Sequence, residues 1–411
     1  MNDITRPDRG PSSEPFDAEY AKRVLLASLV IVGMGFSVLF PLLAPIGREI
    51  GLNEIQITSI IGVSSITVFL ASPRWGRLSD RWGRKNIMLI GLFGFSAGTL
   101  LFNSVLLAGL EGILQGTGLF ILLIGARICH AAVMSAAMPA STAYMADITT
   151  VENRTKGMGA SGAANNLGSI LGPSLTALAF ISLLFPLWLM AALAFMNGLL
   201  VWRFLPDAPR AKVNPTKPMH KVRYSDPRIR PFVIVGVLMF TGFALVQQTM
   251  GFRFQDALSL STTETAKVLG LAMMCSAAAS LFAQSVVVQR TRLAPFQLLK
   301  LAIPLLTIAF IVMAVSESRW VLTGAMVIQG FAMGMAGPGF TAGASLSVEA
   351  EEQGAVAGVI ASCGPLGFCV GPIFGGMLYQ VLPQLPYAVA AIMYVVLTFS
   401  MGRLSRGVRQ A

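Results

Sequence analysis

The sequence has few of the residues that enzymes use for catalysis. Of its 411 residues only 12% are charged, and it contains two histidines, one of which is His220. A catalytic site needs a set of such groups close together, for example a histidine-rich metal site or a Ser/His/Asp arrangement. We therefore expect no enzymatic activity, with a membrane-embedded enzyme as the distant alternative.

Cysteine is also scarce, with four residues in the whole chain. All of them lie inside apolar runs, and no two form a CxxC pair: Cys129, Cys275, Cys363 and Cys369. Cysteines in such surroundings behave as small apolar packing residues. The spacing predicts neither a disulfide framework nor a zinc site, and we expect no metal and no organic cofactor.

The N-terminal region lacks the apolar core of a signal peptide. Its first 20 residues contain five acids and two arginines, whereas a signal peptide has a continuous apolar stretch at this place. We expect residues 1–21 to remain on the mature chain as a polar tail.

Apolar residues dominate the rest of the chain. They make up 55% of it, and the mean hydropathy is +0.70, which is more apolar surface than a soluble protein of this length can bury. A helix of about 20 apolar residues crosses the hydrocarbon core of a bilayer. The apolar runs predict an all-α membrane protein with twelve spanning helices, spans 1 to 12, at 22–45, 57–76, 87–108, 117–145, 157–181, 183–204, 231–252, 265–288, 295–316, 320–347, 354–380 and 384–402.

The 30 lysines and arginines are distributed unevenly between the loops. Most fall in the two tails and in the loops that follow even-numbered spans, whereas the opposite loops hold only Arg48, Arg253, Lys267 and Arg319. Positive charge collects on the cytoplasmic side of membrane proteins. We therefore expect both termini in the cytoplasm and the protein in a plasma (inner) membrane. The formal net charge of +11 then requires no nucleic-acid partner.

A polar segment at 206–230 divides the spans into two sets of six. It is rich in proline and basic residues, which is typical of a linker, and we expect it to be cytoplasmic. A fixed offset of 199 positions places Pro139 on Pro338 and Gly168 on Gly367, which indicates an internal repeat. We expect six-helix halves at 22–205 and 231–403 and a C-terminal tail at 404–411. Many secondary transporters consist of two such halves with the substrate site between them.

The loop between spans 2 and 3 concentrates charge in the stretch GRLSDRWGRK. A tight, solvated loop that sets the topology is the simplest explanation. The order of its residues, however, matches the loop 2–3 signature of the major facilitator superfamily, and the chain resembles that family over all twelve spans. The resemblance implies two pseudo-symmetric six-helix halves and a conformational latch that stabilises the outward-facing state through span 11 and an acid at the end of span 4. The residues of this loop latch are Gly76, Asp80, Arg81, Gly83, Arg84 and Asp147.

Span 4 contains an arginine deep in an apolar run. A buried cation is costly in a membrane, which makes Arg127 a functional candidate, although an arginine bonded to backbone carbonyls would be structural. His130 lies three residues further on and shares its face, and histidine titrates near neutral pH. Arg127 and Pro139 match the superfamily's span 4 signature, while His130 stands where that signature has glutamine. Our candidates for proton coupling are Arg127, His130 and Asp147.

Spans 5 and 11 carry glycines and a proline at matching positions. Glycines four residues apart allow close helix contact, and proline permits a bend; ordinary membrane packing would explain both. The pattern resembles the antiporter signature of the superfamily, which is associated with drug:proton antiporters. The residues expected to bend or pack these spans are Gly159, Gly168, Gly172, Pro173, Gly358, Gly367, Gly371 and Pro372.

Span 1 has no acidic residue, although proton-coupled exporters of the superfamily commonly carry one there. A cavity without a buried acid suits neutral, apolar or anionic compounds better than dications. Spans 1, 4, 7 and 10 line the cavity in the superfamily. Polar side chains deep in the spans are therefore candidates for the substrate cavity, with hydrogen bonding between helices as the equal alternative. They are Asn165, Asn166, Gln247, Gln248 and Gln329.

These patterns together predict a secondary active transporter that works by alternating access. We expect proton-coupled export of small, drug-like compounds, as in the drug:proton antiporters. The expected partners are a small-molecule substrate, protons and the lipid bilayer, with no nucleic acid and a monomeric state. The alternative is an uptake symporter or a facilitator for a small metabolite, which has no special need for the glycines of spans 5 and 11.

Overall fold

The computed structural model describes residues 17–150, 153–207, 224–291, 293–349 and 352–408. Within these ranges every regular element is a helix. Most of the predicted tails and of the predicted linker, including His220, lies outside these ranges, so the boundaries of the tails, the linker and the two halves stay predictions.

Eight α-helices form spans 1 to 6. Span 1 consists of α1 and α2, span 4 of α5 and α6, and span 5 of α7 followed by a 3₁₀ helix. They are α1 (Ala18–Ser37), α2 (Leu39–Glu49), α3 (Glu54–Trp82), α4 (Arg84–Leu110), α5 (Gly116–Met134), α6 (Ala137–Ile148), α7 (Arg154–Leu171), the 3₁₀ helix (Pro173–Phe180) and α8 (Phe185–Phe204).

Six α-helices form spans 7 to 12, one for each span. The last turns of span 8 are π-helical. The helices are α9 (Arg230–Leu258), α10 (Thr262–Phe282) with the π-helical segment Ala283–Val288, α11 (Pro295–Val315), α12 (Arg319–Ser345), α13 (Gln353–Val381) and α14 (Leu385–Val408).

Ten helical stretches in the described residues are long and apolar enough to cross a membrane. Of the remaining two spans, span 5 changes from α-helix to 3₁₀ helix at Pro173, and span 12 contains the shorter apolar helix Leu385–Ser400. The prediction of an all-α membrane protein is confirmed, and the described helices fit an arrangement of twelve spans.

Two spans that begin at the same end of the bundle start with the same arrangement of hydrogen bonds. At the start of α3, the side chains of Asn53 and Gln56 each accept a hydrogen bond from the other's backbone N–H. Ser261 and Glu264 do the same at the start of α10. Each pair satisfies backbone N–H groups that a helix leaves free at its first turn. The internal repeat therefore extends to the way in which spans 2 and 8 begin.

The two halves meet along a seam. Within the halves, α1 packs against α7 and α9 against α13. Across the seam, α3 packs against α13, α2 against α9, and the 3₁₀ helix against α10. We call the end of the bundle opposite to the chain termini the distal end. All the hydrogen bonds and ion pairs that join described side chains of the two halves lie at this end.

Several helices extend beyond the predicted spans. The first helix begins at Ala18, inside the region predicted as a tail. Four residues predicted in loops lie in α2, α9, α10 and α12, respectively: Arg48, Arg253, Lys267 and Arg319. Hydropathy locates the edge of the hydrocarbon layer, whereas a helix continues past that edge wherever its polar side chains find partners. The loop positions of these four residues were therefore wrong.

Candidate functional site

The loop latch joins α3, α4 and the end of α6. Arg84 forms ion pairs with Asp80 (Nη1 to Oδ1, 2.5 Å) and with Asp147 (Nε to Oδ2, 2.9 Å). Its Nη1 also donates to the hydroxyl of Ser79 at 2.7 Å. Gly83 forms the turn with a φ of 93°, a conformation that glycine adopts without strain. The structure thus brings four of the six latch residues together.

The other two latch residues lie at the edge of this group. Arg81 is exposed. Gly76 faces α6, where a Cβ added to it would lie 3.9 Å from Pro139. The described contacts of the loop latch stay inside the first half, and the contact with span 11 that the resemblance implies is not among them.

Arg127 and His130 form a buried pair on α5. The Nη1 of Arg127 donates to the Nδ1 of His130 at 2.7 Å, and the two residues are 7% and 3% exposed. The Nε2 of His130 lies 3.5 Å from the hydroxyl of Thr99, which itself donates to the backbone carbonyl of Phe95. This network assigns the proton of the imidazole to Nε2. His130 is therefore neutral in the described arrangement.

The surroundings of this pair are apolar and tight. The ring of Phe95 lies 5.0 Å from the imidazole, and a Cβ added to Gly98 would lie 2.7 Å from it. The Nε of Arg127 has no hydrogen-bond partner among the described residues. Asp147, the third candidate for proton coupling, is bound in the loop latch, so the structure joins two of the three candidates.

Two glycines of span 5 allow α7 to lie directly against α1. A Cβ at Gly168 would lie 1.9 Å from the carbonyl oxygen of Val30, and one at Gly172 would lie 2.2 Å from the hydroxyl of Ser37. Gly159, in contrast, has nothing within 4 Å of an added Cβ. Any side chain at the two contact positions would force the helices apart.

The matching glycines of span 11 have the same role against α9. A Cβ at Gly367 would lie 2.6 Å from the backbone of Phe240, and one at Gly371 would lie 2.7 Å from Ala244. Gly358 has nothing within 4 Å, as at its counterpart in span 5. The prolines differ, because Pro173 starts the 3₁₀ helix whereas Pro372 lies inside the continuous helix α13.

The five cavity candidates lie on spans 5, 7 and 10. The three glutamines Gln247, Gln248 and Gln329 are buried, Asn165 is partly buried and Asn166 is exposed. One side-chain atom in each of Asn165, Gln248 and Gln329 has no hydrogen-bond partner among the described residues. A buried polar atom without a partner is costly, so these three amides have bonding capacity left for a ligand. Their grouping around one cavity stays a prediction.

Aromatic rings of the two halves meet across the seam. Phe40 of α2 stacks on Phe368 of α13 with 5.7 Å between ring centres. Phe243, one turn before Gln247 on α9, meets the ring of Phe368 edge-on at 6.3 Å. All three rings are partly exposed, so they present an apolar surface between the halves.

The sequence analysis missed a group of polar residues at the distal end, which we call the distal cluster. Arg48 binds Glu54 (Nη2 to Oε1, 2.7 Å) and Asp256 (Nη1 to Oδ1, 2.5 Å). The hydroxyl of Tyr379 donates to Asp256 at 2.7 Å. Arg48 belongs to the first half and Asp256 to the second. The sequence contained a signal, because Arg48 is one of the few basic residues predicted on this side and has acidic neighbours.

A second arginine at the distal end has a structural role. Arg253, 3% exposed, donates to the carbonyl oxygens of Met313, Ala314 and Ser316 at 2.9 to 3.1 Å. These carbonyls belong to the last turn and the end of α11, which lack partners within the helix. The cation also complements the negative end of the helix dipole. Arg253 therefore fixes α9 to the end of α11.

At the opposite end of the bundle, Arg228 ties the segment before α9 to the start of α13. It binds both carboxylate oxygens of Glu352, at 2.6 and 2.9 Å, and Asp226 at 2.9 Å. These hydrogen bonds from Arg228 lower the pKa of both carboxyls below their usual range. Both acids are therefore charged at neutral pH, and the tie persists there.

The protein consists of two six-helix halves that meet along a seam. Polar groups lie inside the bundle, and ion pairs lie at both of its ends. This is the architecture of a transporter. The chain matches the family model of the Major Facilitator Superfamily over residues 25–364, and again over 297–409. The chain belongs to this superfamily.

Three comparisons with known proteins give the range of similarity. The chain is 27% identical over 382 residues to Multidrug resistance protein 1 of Bacillus subtilis, which covers 90% of this chain and 92% of that protein. It is 35% identical over 138 residues to a triacylglyceride transporter of Mycolicibacterium smegmatis, and this match covers 33% of this chain and 22% of that protein. Its fold is similar to a bacterial homolog of the human lysosomal transporter Spinster in an inward-facing, occupied conformation, with a TM-score of 0.72, 14% identity and coverage of 96% and 98%.

Proposed function

We propose that this protein exports small, drug-like compounds across the membrane in exchange for protons. The observation that carries this proposal is the pair of glycine contacts by which α7 lies against α1 and α13 against α9, at matching positions of the two halves. The same glycines carry the resemblance to the antiporter signature. The similarity to a multidrug resistance protein over 90% of the chain supports it.

The proposed transport cycle is alternating access between the two halves. Because the glycine contacts hold span 5 on span 1 and span 11 on span 7, each half moves as a unit, and the seam is the surface that opens and closes. The distal cluster closes the distal end of the seam, and opening it requires the bonds of Arg48 to Asp256 to break.

We propose that this end faces outward and that both termini are cytoplasmic, in an inner membrane. We further propose that the protein is a monomer without enzymatic activity.

The proposed substrates are neutral, apolar or anionic compounds. Three amides with unused bonding capacity, two of them buried and one partly buried, offer hydrogen bonds. The partly exposed rings of Phe40, Phe243 and Phe368 offer apolar contact, and neither set carries negative charge. Such a surface binds ring systems and chains of varied shape. Part of the chain is similar to a triacylglyceride transporter, which adds lipid-like compounds to this range.

The proposed proton site is the pair of Arg127 and His130, with Asp147 as the other candidate. A proton added to the Nδ1 of His130 would turn the acceptor of the Arg127 hydrogen bond into a donor. Two cations 2.7 Å apart repel, so Arg127 would have to leave, and α5 would shift against α4. Proton uptake is then linked to a change of packing inside the first half.

The experiment uses inverted membrane vesicles that are energised to an acid interior. We expect neutral and anionic compounds, including lipid-like ones, to collapse the pH gradient in vesicles that contain the wild-type protein. The substitution His130→Ala should lower the initial rate of gradient collapse to less than about a tenth of the wild-type rate. An effect of this size lies within the usual range of coupling between two binding sites. Cys129→Ala is the matched control, because this neighbour on the same helix is exposed and should leave the rate unchanged.

Other outcomes would redirect the proposal. A gradient collapse that survives His130→Ala but is lost in Asp147→Asn would move the proton site to the loop latch. Absence of collapse with every compound, together with substrate uptake in intact cells, would contradict export and favour the symporter or facilitator. Strong export of cationic dyes alone would contradict the proposed substrate class.

A further inference from the structure

Span 4 is broken between its two helices. α5 ends at Met134 and α6 begins at Ala137. Pro139 follows in the first turn of α6. A proline has no N–H for the carbonyl four residues back, and its ring crowds that carbonyl, which here belongs to Ser135. The break separates the candidate proton pair on α5 from the loop latch at the end of α6.

A proline alone does not cause this break. The second half has Pro338 at the matching position of span 10, and α12 continues through it as one helix. Span 4 has an additional contact from span 2, because the indole Nε1 of Trp75 donates to the carbonyl oxygen of Ala132 at 2.6 Å. Met274 stands 199 positions after Trp75, and a methionine side chain donates no hydrogen bond. The matching residue of the second half therefore cannot form this bond.

The bond from Trp75 uses a carbonyl that the break sets free. In a continuous helix the N–H of Ala136 would donate to the carbonyl of Ala132. Here the N–H of Ala136 donates to the carbonyl of Val133 at 3.1 Å. The carbonyl of Ala132 accepts from Trp75 instead, and also from the hydroxyl of Ser135 at 2.8 Å. A buried carbonyl needs a donor, so Trp75 stabilises the broken form of span 4 over the continuous form.

The same short stretch of α3 contacts both parts of span 4. Trp75 reaches the last turn of α5, and a Cβ added to the next residue, Gly76, would lie 3.9 Å from Pro139 in α6. Further along α3, Ser79 accepts a hydrogen bond from Arg84 at 2.7 Å. That arginine also holds the latch carboxylate at the end of α6. The end of α3 therefore connects the last turn of α5 with the far end of α6.

A small cavity lies along the break. It is lined by Met134 at the end of α5, by Ala137 at the start of α6 and by Phe95 of α4. The ring of Phe95 lies 5.0 Å from the imidazole of His130. Asn197 of α8 also lines the cavity, and its Oδ1 has no hydrogen-bond partner among the described residues. A shift of α5 at His130 can therefore be accommodated at the break, because the side chains there have space to move.

We infer that Trp75 is a positioning residue of the transport cycle. Its bond to Ala132 holds the break of span 4, and through this break a shift of the Arg127–His130 pair reaches the loop latch. The inference rests on the proposed function for the role of the pair in proton exchange, whereas the link between the break and the latch does not. Without the bond, α5 moves and the latch does not follow, so proton exchange is no longer tied to the change of conformation.

Transport kinetics with a matched pair of tryptophan substitutions test this role. Trp75→Phe keeps an apolar ring and removes the N–H donor. Trp82→Phe is the control, because it makes the same change on the same helix at a side chain that is 57% exposed. The assay uses inverted vesicles and a compound that collapses the wild-type pH gradient, with rates normalised to folded protein. Trp75→Phe should lower the kcat of proton exchange at least about fivefold and leave the KM for the compound unchanged, whereas Trp82→Phe should change neither.

A spectroscopic measurement tests the link between the break and the latch without transport. Ultraviolet resonance Raman spectra of the full-length protein report the hydrogen bond of an indole N–H. Trp75 is observed alone when the other four tryptophans are replaced by phenylalanine: Trp82, Trp188, Trp202 and Trp320.

Substitutions on either side of the break should move the Trp75 band. Arg127→Gln on α5 and Asp147→Asn at the end of α6 should each weaken the bond to Ala132, because each releases one part of span 4 from its partner. Arg77→Gln is the control and should leave the band in place, because this arginine is exposed although it lies only two residues from Trp75.

The outcomes separate this inference from the proposed function. An unchanged Trp75 band in either Arg127→Gln or Asp147→Asn would overturn the inference, and so would a kcat in Trp75→Phe equal to that in Trp82→Phe. If the band responds while no compound drives proton exchange in wild-type vesicles, the link between break and latch stands and the proposed export fails. If Trp75→Phe exchanges protons at the wild-type kcat, the proposed export stands and the role of Trp75 fails.

Discussion

Replacement of Gly168 by leucine is expected to abolish transport and to lower the yield of folded protein to a small part of the wild-type yield. The added Cβ would lie 1.9 Å from the carbonyl oxygen of Val30 and 2.8 Å from the backbone nitrogen of Met34. Both atoms belong to the backbone of α1, so no side-chain movement can relieve the clash. Overpacking in a core costs about 1–3 kcal/mol when side chains give way, and more when they do not. The helices α1 and α7 would have to separate along their contact.

The measurement is the yield of monodisperse protein in detergent, followed by transport in vesicles. Gly159→Leu is the control on the same helix, because an added Cβ there meets nothing within 4 Å. The repeat supplies a second pair, in which Gly367→Leu should be as harmful as Gly168→Leu and Gly358→Leu should be mild. A Gly168→Leu protein with wild-type yield and activity would show that α1 and α7 do not touch as described.

Replacement of Arg84 by glutamine is expected to destabilise the protein and to slow transport. Arg84 is the cation of both Asp80 and Asp147, and the side chain of Asp147 is only 19% exposed. The loss of the charged partner of a partly buried carboxylate lowers the free energy of unfolding by about 1–3 kcal/mol. The latch residues would then no longer hold α4 to the end of α6, and the first half would lose rigidity where α3 turns into α4.

A double substitution distinguishes two effects of Arg84→Gln on stability: the unpaired charge that is left on Asp147, and the loss of the ion pair itself. Asp147→Asn in the Arg84→Gln background removes the unpaired carboxylate, so the melting temperature in detergent should rise part of the way back to the wild-type value. Arg81→Gln is the control, because this arginine of the same loop is exposed. If the double variant melts no higher than the single one, the ion pair of Arg84 with Asp147 contributes nothing measurable to stability.

The spans could be predicted because apolar length and loop charge are local properties of the sequence. The same is true of the turn at Gly83 and of the shared face of Arg127 and His130, since both depend on residues a few positions apart. Hydropathy could not predict the change to 3₁₀ helix at Pro173, because that change depends on how span 5 packs against α10 and the end of span 1.

The sequence marked Arg48 as an unusual basic residue on its side, but it could not predict the partner of Arg48 in the other half, because the two are far apart in the sequence. Arg48 and Asp256 are separated by more than 200 positions, and Asp256 looks like an ordinary charged residue at the end of a span. Arg253 was assigned to a loop for a similar reason. Its partners are backbone carbonyl oxygens of another helix, and the side-chain sequence does not identify such partners. Ion pairs between the halves need the three-dimensional arrangement of the spans.

The central claim, export in exchange for protons, is tested most directly by uphill transport with purified protein. Proteoliposomes are loaded to an acid interior with the membrane potential clamped, and a neutral substrate identified in vesicles is added at equal concentration on both sides. The account predicts that the substrate accumulates inside above the outer concentration and that a proton ionophore abolishes this accumulation. A substrate that equilibrates at the same rate with and without the pH gradient, and never accumulates, would contradict proton-coupled export and identify a facilitator.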